Sequence, residues 1–332
     1  MIKKHFFIFV IFSSFSYANT VYIILGSDTS IWNNTKGVSV ENAYANEFDP
    51  DVFTNPRGVF RDVMDESFRK AHTDSAEQPF KVTWFMLGGA YFTTGVNTNA
   101  VSSTFLINKY WGKDLERWGD EIGYHYHHYK WDGFHWVQAD TFTERIGDFD
   151  WVFSQMMIDE HIYPVSFRAG WNYMDQDYQN YLEQWMPFRF EGGRWMSDFT
   201  PYHPSFTNYH IPGDMKGWEA RHYLMSAFDK TQAYKIFKIA ASGKPQGVCI
   251  WSHQNDKDFI RQIADACDNL RNAWIGNTEV KYFFCTAKEA MTYYQYYNNP
   301  NQAPTKDSPS IPPPILMDVS SATPLPSPEI KP

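Results

Sequence analysis

The chain has 332 residues and a formal net charge of -9, with acidic and basic residues interspersed. This balance argues against a nucleic-acid phosphate backbone as a partner. The hydrophobic content of 43% is enough for a large core, and α/β barrels of this length commonly form one domain.

Residues 1–18 have the pattern of a signal peptide. Lys3 and Lys4 precede a short apolar run, and small residues lead to Ala18. This run is too short to cross a bilayer, and no later stretch approaches eighteen uninterrupted apolar residues. We expect an exported protein, periplasmic or secreted, with no membrane span in the mature chain. The three cysteines, an odd number, argue against a disulfide framework.

Strand-like and helix-like runs then alternate along the chain. The predicted strands lie at residues 20–28, 80–89, 121–124, 164–171, 188–193, 218–225, 247–256 and 280–286. The predicted helices lie at residues 57–72, 105–118, 143–161, 175–185, 229–241, 256–270 and 287–297, with Thr143 as an N-cap. Parallel strands need crossover helices, so this alternation predicts a mostly parallel α/β domain.

Three segments do not follow this alternation. Residues 29–56 and 194–218 are polar and rich in turn-forming residues, and each predicts a long loop over the domain. Residues 300–332 are rich in proline and predict a disordered tail. The expected organisation is a signal peptide at 1–18, one domain at 19–299 and the tail at 300–332.

The segment 119–131, GDEIGYHYHHYKW, places three histidines at the end of a predicted buried strand. Alternate residues of a strand share a face, so His125 and His127 would point at one metal ion. If the strand ends at His125 and a turn follows, His128 would instead be the second histidine that binds the metal. The alternative is that the cluster is a polar, aromatic rim over a barrel mouth.

Polar side chains also follow other predicted strands. Asp28, His125, Arg168 and His253 each come at the end of a separate apolar run, as the site of a barrel requires. One carboxylate and two imidazoles make a ligand set that suits Zn²⁺. His253 would then donate a proton to a leaving group.

Four pieces of the sequence, GSD, DEIGYHYHH, FRAGW and IWSH, resemble in order the motifs of the polysaccharide deacetylase superfamily. The likeness spans about residues 20–297. It implies a distorted (β/α)7 barrel and a divalent metal, expected to be zinc, held by one aspartate and two histidines. Members of this superfamily remove acetyl groups from amino sugars in chitin-like polymers, peptidoglycan or exopolysaccharide.

The resemblance implies roles for particular residues. Arg168 matches the arginine that orients the catalytic base, and His253 matches the histidine that donates a proton. His125 matches the first metal histidine, whereas the position of the second holds Tyr129. His127 or His128 would therefore have to supply the second imidazole, which makes four candidate metal ligands: Asp28, His125, His127 and His128.

The first motif departs from the family pattern. The family has two adjacent aspartates, one a base and one a ligand, whereas Asp28 stands between Ser27 and Thr29. Coordination lowers the basicity that proton abstraction needs, so one aspartate serves poorly in both roles. We assign Asp28 to the metal, which leaves the base unassigned, with Asp132 and Asp198 as loop candidates.

The predicted function is that of an exported, metal-dependent hydrolase that removes acetyl groups from an extracellular or cell-envelope polysaccharide. Three aromatic residues, Trp171, Tyr129 and Trp131, are expected to bind the sugar, and the protein is expected to be a monomer. One alternative is a carbohydrate-binding protein that has lost turnover, because the second aspartate is missing. Another is a glycoside hydrolase, which needs two carboxylates on either side of a sugar bond.

Overall fold

The structure is a computed structural model that describes residues 19–30, 59–90, 99–134, 136–191, 197–254, 256 and 258–298. The predicted signal peptide and tail lie outside the described residues, as does most of the predicted loop at 29–56. None of the helices in the described ranges has both the length and the apolar character that a membrane span requires. The three cysteines are free and buried.

Eleven strands lie in the described ranges. They are β1 (Thr20–Thr29), β2 (Val82–Gly88), β3 (Glu121–Tyr126), β4 (Tyr129–Trp131), β5 (Trp136–Gln138), β6 (Ser166–Ala169), β7 (Phe188–Arg189), β8 (Trp218–Glu219), β9 (Arg221–Leu224), β10 (Gln246–His253) and β11 (Lys281–Phe284).

Eight α-helices accompany these strands within the described ranges. They are α1 (Val59–Met64), α2 (Glu66–Ala71), α3 (Ser102–Trp118), α4 (Ile146–Ile158), α5 (Gln176–Leu182), α6 (Lys230–Ala241), α7 (Phe259–Ile275) and α8 (Ala287–Asn298). Short 3₁₀ turns lie at Phe142–Arg145, Gly170–Asn172 and Met225–Ala227.

The strands form a nearly closed barrel. The main sheet runs in the order β8-β7-β6-β3-β2-β1-β10-β9, and its paired strands are all parallel. Only Ala220 separates β8 from β9 along the chain, so the two ends of this path are adjacent. The Ala220 amide donates to the Arg189 carbonyl at 3.0 Å and continues the pairing with β7. The predicted barrel of mostly parallel strands is confirmed.

The barrel is distorted around β1. The first half of β1 pairs with β11, and its second half pairs with β2 on the same side. If the segment from β8 to β9 is counted as one position, the ring has seven positions and β11 is an extra strand. The strands β4 and β5 form a separate antiparallel hairpin after β3.

The alternating side chains of β1 belong to two different apolar clusters. Val21, Ile23 and Leu25 of β1 belong to the large cluster that contains most of the helix residues, and Tyr22 and Ile24 belong to a second cluster. Because successive side chains of a strand point to opposite faces, β1 packs on helices with one face and lines the barrel with the other. The inward face continues through Gly26 to Asp28.

Two predicted elements have different bounds in the structure. The helix predicted at 57–72 is broken at Asp65, whose side chain accepts a hydrogen bond from the Phe68 amide at 2.9 Å and so begins α2 as an N-cap. Thr143 is not an N-cap, because a 3₁₀ turn already begins at Phe142 and α4 begins at Ile146. In both cases the apolar spacing was correct, and what the sequence interpretation missed was the side-chain cap at Asp65 and the 3₁₀ turn at Phe142.

Candidate functional site

Four of the predicted site residues lie together at the C-terminal end of the barrel. Asp28 of β1 is the register partner of His253 in β10, and His125 of β3 is the partner of Arg168 in β6. Asp28 Oδ2 lies 4.0 Å from His125 Nε2. The convergence expected from the sequence is therefore present in the fold.

Asp28 and Arg168 form a buried ion pair. Arg168 Nε donates to Asp28 Oδ1 at 2.9 Å, and the two side chains are no more than 3% exposed. Burial opposes ionisation of Asp28, but the positive charge of Arg168, aided by His125 and His253, outweighs it and lowers the pKa below its ordinary value of 3.8. Asp28 is therefore a carboxylate at neutral pH.

Arg168 is itself held from several sides. Its Nη2 donates to Asn172 Oδ1 at 2.9 Å and its Nη1 to the Phe190 carbonyl at 3.2 Å. The guanidinium carbon lies 3.9 Å from the centre of the Trp251 ring, a cation–π distance. With so many partners the arginine has little freedom, so it fixes the position of Asp28.

His125 and His127 face each other across the site. His125 Nδ1 lies 3.0 Å from the Arg168 carbonyl oxygen, which can only accept, so Nδ1 carries the proton. His125 Nε2 lies 3.0 Å from His127 Nε2. Burial lowers the pKa of both rings, that of His127 well below its ordinary value of 6.5, so both are neutral and His125 Nε2 presents a lone pair.

His128 lies elsewhere. Its ring packs 4.5 Å from that of Tyr173, and its Nε2 lies 3.3 Å from the Gln138 amide nitrogen. Burial lowers its pKa to about 4, against the opposing charges of Asp175 and Glu144. Of the two histidines that the sequence left open, the structure brings His127 beside His125.

A tight turn after β6 packs closely against the His127 ring and restricts its position. Trp171 and Asn172 have positive φ angles of 54° and 53°, which are uncommon for residues other than glycine. A Cβ on Gly170 would lie 2.4 Å from the His127 ring, so only glycine leaves room for the imidazole. The Trp171 ring meets that of His127 edge to face at 4.3 Å.

The three rings expected to bind sugar have different surroundings. Trp171 is 41% exposed beside His127, and Trp131 is 46% exposed on the hairpin. Tyr129 is buried, and its ring stacks 5.4 Å from that of His127 at an interplanar angle of 8°. Tyr129 therefore supports the histidine, and in this structure its ring is not exposed for stacking against a sugar. His253 is exposed at the mouth, with its ring 5.4 Å from that of Trp251.

The sequence interpretation missed Glu191. Its Oε1 accepts from the Ala169 amide at 2.9 Å and lies 3.5 Å from Arg168 Nη1. Its Oε2 is buried and has no hydrogen-bond partner in the described part of the chain. Burial raises the pKa of Glu191 from 4.5 to about 8, in spite of the opposing charge of Arg168. The signal in the sequence was an acid directly after an apolar run, the pattern that identified Asp28.

The two candidate bases have partners elsewhere. Asp132 accepts from the Phe134 amide at 2.7 Å in the turn of the hairpin. Asp198 accepts from the Thr200 amide at 3.1 Å, and its charge acts on Tyr294 of α8.

Some of the nitrogen and oxygen atoms in this cluster have the spacing that ligands of one divalent metal ion require. Ligands at about 2.0–2.2 Å from one zinc ion lie roughly 3–4 Å from each other, and the two Nε2 atoms meet this condition. The His125 tautomer, with its other nitrogen bound to a carbonyl, is the one that metal ligands adopt. However, no group of three His, Cys, Asp or Glu side chains in the described ranges is arranged to hold a metal ion. The chain thus offers two imidazoles directly and Asp28 Oδ2 at a longer distance.

The fold and these side chains define an α/β barrel with a buried histidine, aspartate and arginine cluster at its C-terminal end. No family model matches the chain, and no curated protein matches it either. Similar solved structures include proteins of the class that the sequence motifs resemble.

One is a protein from Mycobacterium smegmatis assigned to the polysaccharide deacetylases, with 15% identity over 81% of this chain and 87% of that one, at a TM-score of 0.44. A second, from Pseudomonas aeruginosa PAO1 and assigned to the same class, has 10% identity over 84% and 92% of the chains, at a TM-score of 0.47. A third, Puue allantoinase, has 11% identity over 84% and 91%, also at 0.47. The site geometry, and not these similarities, supports the function proposed below.

Proposed function

We propose that the protein is a hydrolase that removes acetyl groups from an extracellular or cell-envelope polysaccharide. The observation that supports this proposal most directly is the buried cluster of Asp28, Arg168, His125 and His127 beneath the exposed His253. An ionised carboxylate can accept a proton, two neutral imidazoles can bind a metal ion and a solvent-facing imidazole can donate a proton, and these are roles that hydrolysis of an amide or ester uses.

We assign Asp28 the role of proton acceptor, which departs from the metal role expected from the sequence. Its Oδ1 is held by Arg168, and its pKa is kept low enough for it to remain a carboxylate. In the reaction, a water oxygen forms a bond to the acetyl carbon while Asp28 accepts the water proton. The bond from that carbon to the sugar nitrogen or oxygen then breaks, and His253 donates a proton to the departing atom.

We propose a divalent metal ion, zinc, at His125 and His127. When bound there, the ion would supply Lewis-acid polarisation of the acetyl carbonyl. His125 is oriented for this role through its Nδ1 contact to the Arg168 carbonyl, and Gly170 and Trp171 hold His127 against it. Two imidazoles are fewer than the three protein ligands usual for catalytic zinc, so we expect loose binding.

The test is acetate release from acetylated chitin oligosaccharides, peptidoglycan and exopolysaccharide, with metal content measured on the same purified protein. His253→Ala should retain the metal and lower turnover by about 10²- to 10⁴-fold. His125→Ala should lose the metal and remain folded. His161→Asn, at an exposed position after α4, is the control and should behave as wild type. New reducing ends without acetate would indicate a glycoside hydrolase instead.

A second candidate is a carbohydrate-binding protein without turnover, which is favoured by one observation. Where the family has its second aspartate, Thr29 is buried and donates to Ser27 Oγ at 2.8 Å, so this position supplies no carboxylate. Binding of the same glycans with no acetate from any of them would favour this candidate.

We also propose that the protein is exported to the periplasm or the medium and is a monomer. Fractionation of cells that express the full chain, with light scattering on the purified protein, tests both points. Cytoplasmic retention or a stable dimer would contradict them.

A further inference from the structure

We propose that the β4–β5 hairpin is a second sugar-binding subsite, which holds a polysaccharide chain beside the cluster of Asp28, His125 and His127. The inference rests on the proposed function, which makes the occupant a polysaccharide, and it adds a place on the protein surface where that polymer is held. The aromatic side chains that form this subsite are Trp131, Phe134 and Trp136.

The hairpin continues directly from the catalytic site. His127 is followed by Tyr129, whose ring stacks on it, and then by Trp131 two residues further along β4. Alternate residues of a strand share a face, so Tyr129 and Trp131 lie on one face, roughly 6.5 Å apart. Along this face the rings pass from the buried Tyr129, beside His127, to Trp131, which is 46% exposed.

The tip of the hairpin carries large aromatic rings at the surface. Trp131 is 46% exposed and Phe134 is 74% exposed. Trp131 is the register partner of Trp136, and their ring centres lie 5.7 Å apart at an interplanar angle of 63°. A cluster of exposed rings beside a site is the kind of surface that marks a ligand or an interface.

The hairpin is held in place before any ligand binds. Lys130, on the opposite face from Trp131, lies with its Nζ 2.7 Å from Asp140 Oδ2 and 3.2 Å from Glu144 Oε2. The Ala139 amide donates to the His128 carbonyl at 2.8 Å and ties the end of β5 to the site. Rings that are already fixed bind at a lower entropic cost.

A sugar chain fits this surface better than a lipid bilayer or a protein. Within the described residues of the hairpin the one basic side chain, Lys130, lies on the face opposite Trp131 and pairs with Asp140 and Glu144. Among these residues, the face of the rings therefore carries no positive charge that would attract an anionic membrane surface. A tip of three rings is smaller than a stable protein interface of about 1,200–2,000 Å². Sugar rings stack their C–H faces on aromatic rings and offer hydroxyl groups to nearby carboxylates, which matches rings bordered by Asp132.

The first experiment compares substrates of different length. Trp131→Ala and Phe134→Ala should each lower kcat/KM on acetylated glycol chitin or peptidoglycan by roughly two- to tenfold, the value of one stacked ring. Hydrolysis of N-acetylglucosamine or its dimer should be unchanged. Tyr234→Ala, which removes an exposed ring on α6, is the matched control and should leave both substrates unaffected.

The second experiment separates this subsite from the proposed reaction. Affinity electrophoresis in gels that contain glycol chitin or peptidoglycan measures binding whether or not acetate is released. Retardation that is lost in Trp131→Ala and kept in Tyr234→Ala would support the subsite even if hydrolysis failed. No retardation with either polymer would overturn the inference. So would an equal loss on short and long substrates, or binding of the hairpin to anionic vesicles or to a second copy of the chain.

Discussion

Two carboxyl groups share one arginine in the candidate site, and they are in opposite states. Asp28 is ionised because Arg168 Nε donates directly to it, whereas Glu191 lies farther from the guanidinium, 3.5 Å from Nη1, and burial raises its pKa to about 8. One positive charge therefore supports one carboxylate, and the second carboxyl group keeps its proton at neutral pH.

The first prediction concerns Glu191 and pH. Its pKa in the folded protein, about 8, is above its ordinary value of 4.5, so the folded state holds a proton that the unfolded state has released. The stabilising effect is complete below pH 4.5 and is lost as the pH rises to 8, at up to about 1.4 kcal/mol per pH unit. Glu191→Gln does not titrate, so its Tm should fall less than that of the wild type between pH 5 and 8.

Calorimetry across this pH range provides the measurement. Glu116→Gln, at an exposed position of α3, is the control and should follow the wild-type curve. Only the difference between the wild type and Glu191→Gln is used, because other groups titrate in both proteins. Parallel curves would mean that Glu191 is ionised in the folded protein.

The sequence identified the principal residues of the cluster because they are polar residues directly after apolar runs. Asp28, His125, Arg168 and His253 were all found in this way. It did not identify Asn172, which orients Arg168, because an asparagine in a turn has no distinctive pattern. It also did not choose between His127 and His128, since that choice depends on where β3 ends and on the turn that follows.

At the level of elements, the turn after β6 controls the geometry of the histidines. Gly170 leaves space for the His127 ring, and Trp171 and Asn172 adopt left-handed backbone conformations that cost about 1–3 kcal/mol each. Such a conformation persists only where the surroundings enforce it. Here the enforcing contacts are the Trp171 ring against His127 and the Asn172 side chain on Arg168.

The second prediction concerns Gly170→Ala. The added methyl group would lie 2.4 Å from the His127 ring, so the imidazole must shift away from His125. Overpacking of this kind costs about 1–3 kcal/mol, and we expect the barrel to fold while metal retention and turnover fall. Gly112→Ala in α3 is the control, because its methyl group would meet nothing within 4 Å. Circular dichroism, metal analysis and acetate release on both variants are the measurements.

The control should be neutral or stabilising, since alanine favours a helix interior over glycine by about 0.5–1 kcal/mol. Wild-type metal content and turnover in Gly170→Ala would show that His127 has room to move without consequence. Loss of the folded signal would instead assign Gly170 a purely structural role.

The boundaries of the elements show which structural features the apolar pattern of the sequence can predict and which it cannot. Apolar spacing located the strands of the main sheet and the helices, because burial on one face requires it, but it did not predict the hairpin of β4 and β5. It did not show the break at Asp65 or the 3₁₀ turn at Phe142, because these depend on one hydrogen bond or a few backbone angles. It also treated the segment 218–225 as one strand, although that segment pairs with β7 before Ala220 and with β10 after it.

Across the whole molecule, the two ends of the barrel use buried ion pairs differently. At the N-terminal end Asp120 accepts from Arg69 at 2.7 and 2.9 Å, from Trp84 Nε1 at 2.9 Å and from the Val82 amide at 3.0 Å. This pair joins α2 to the starts of β2 and β3, so it is a structural support. At the C-terminal end the pair of Asp28 and Arg168 lies in the candidate site and has Glu191 beside it.

The last prediction follows from this difference. Asp120→Asn leaves Arg69 buried without a carboxylate, since no other one pairs with it in the described part of the chain, and should cost about 3–5 kcal/mol. Asp28→Asn should cost much less, because Glu191, 3.5 Å from Arg168 Nη1, can ionise and replace the lost charge. Asp28→Asn should nevertheless abolish acetate release, whereas folded Asp120→Asn should retain it.

Urea unfolding of the two single variants and of Asp28→Asn with Glu191→Gln gives the comparison. The double variant removes both carboxylates from Arg168, so its loss of stability should rise to that of Asp120→Asn, and the excess over the two single losses measures the coupling. If Asp28→Asn is already as unstable as Asp120→Asn, Glu191 does not compensate. The functional end of the barrel would then depend on one carboxylate, as the structural end does.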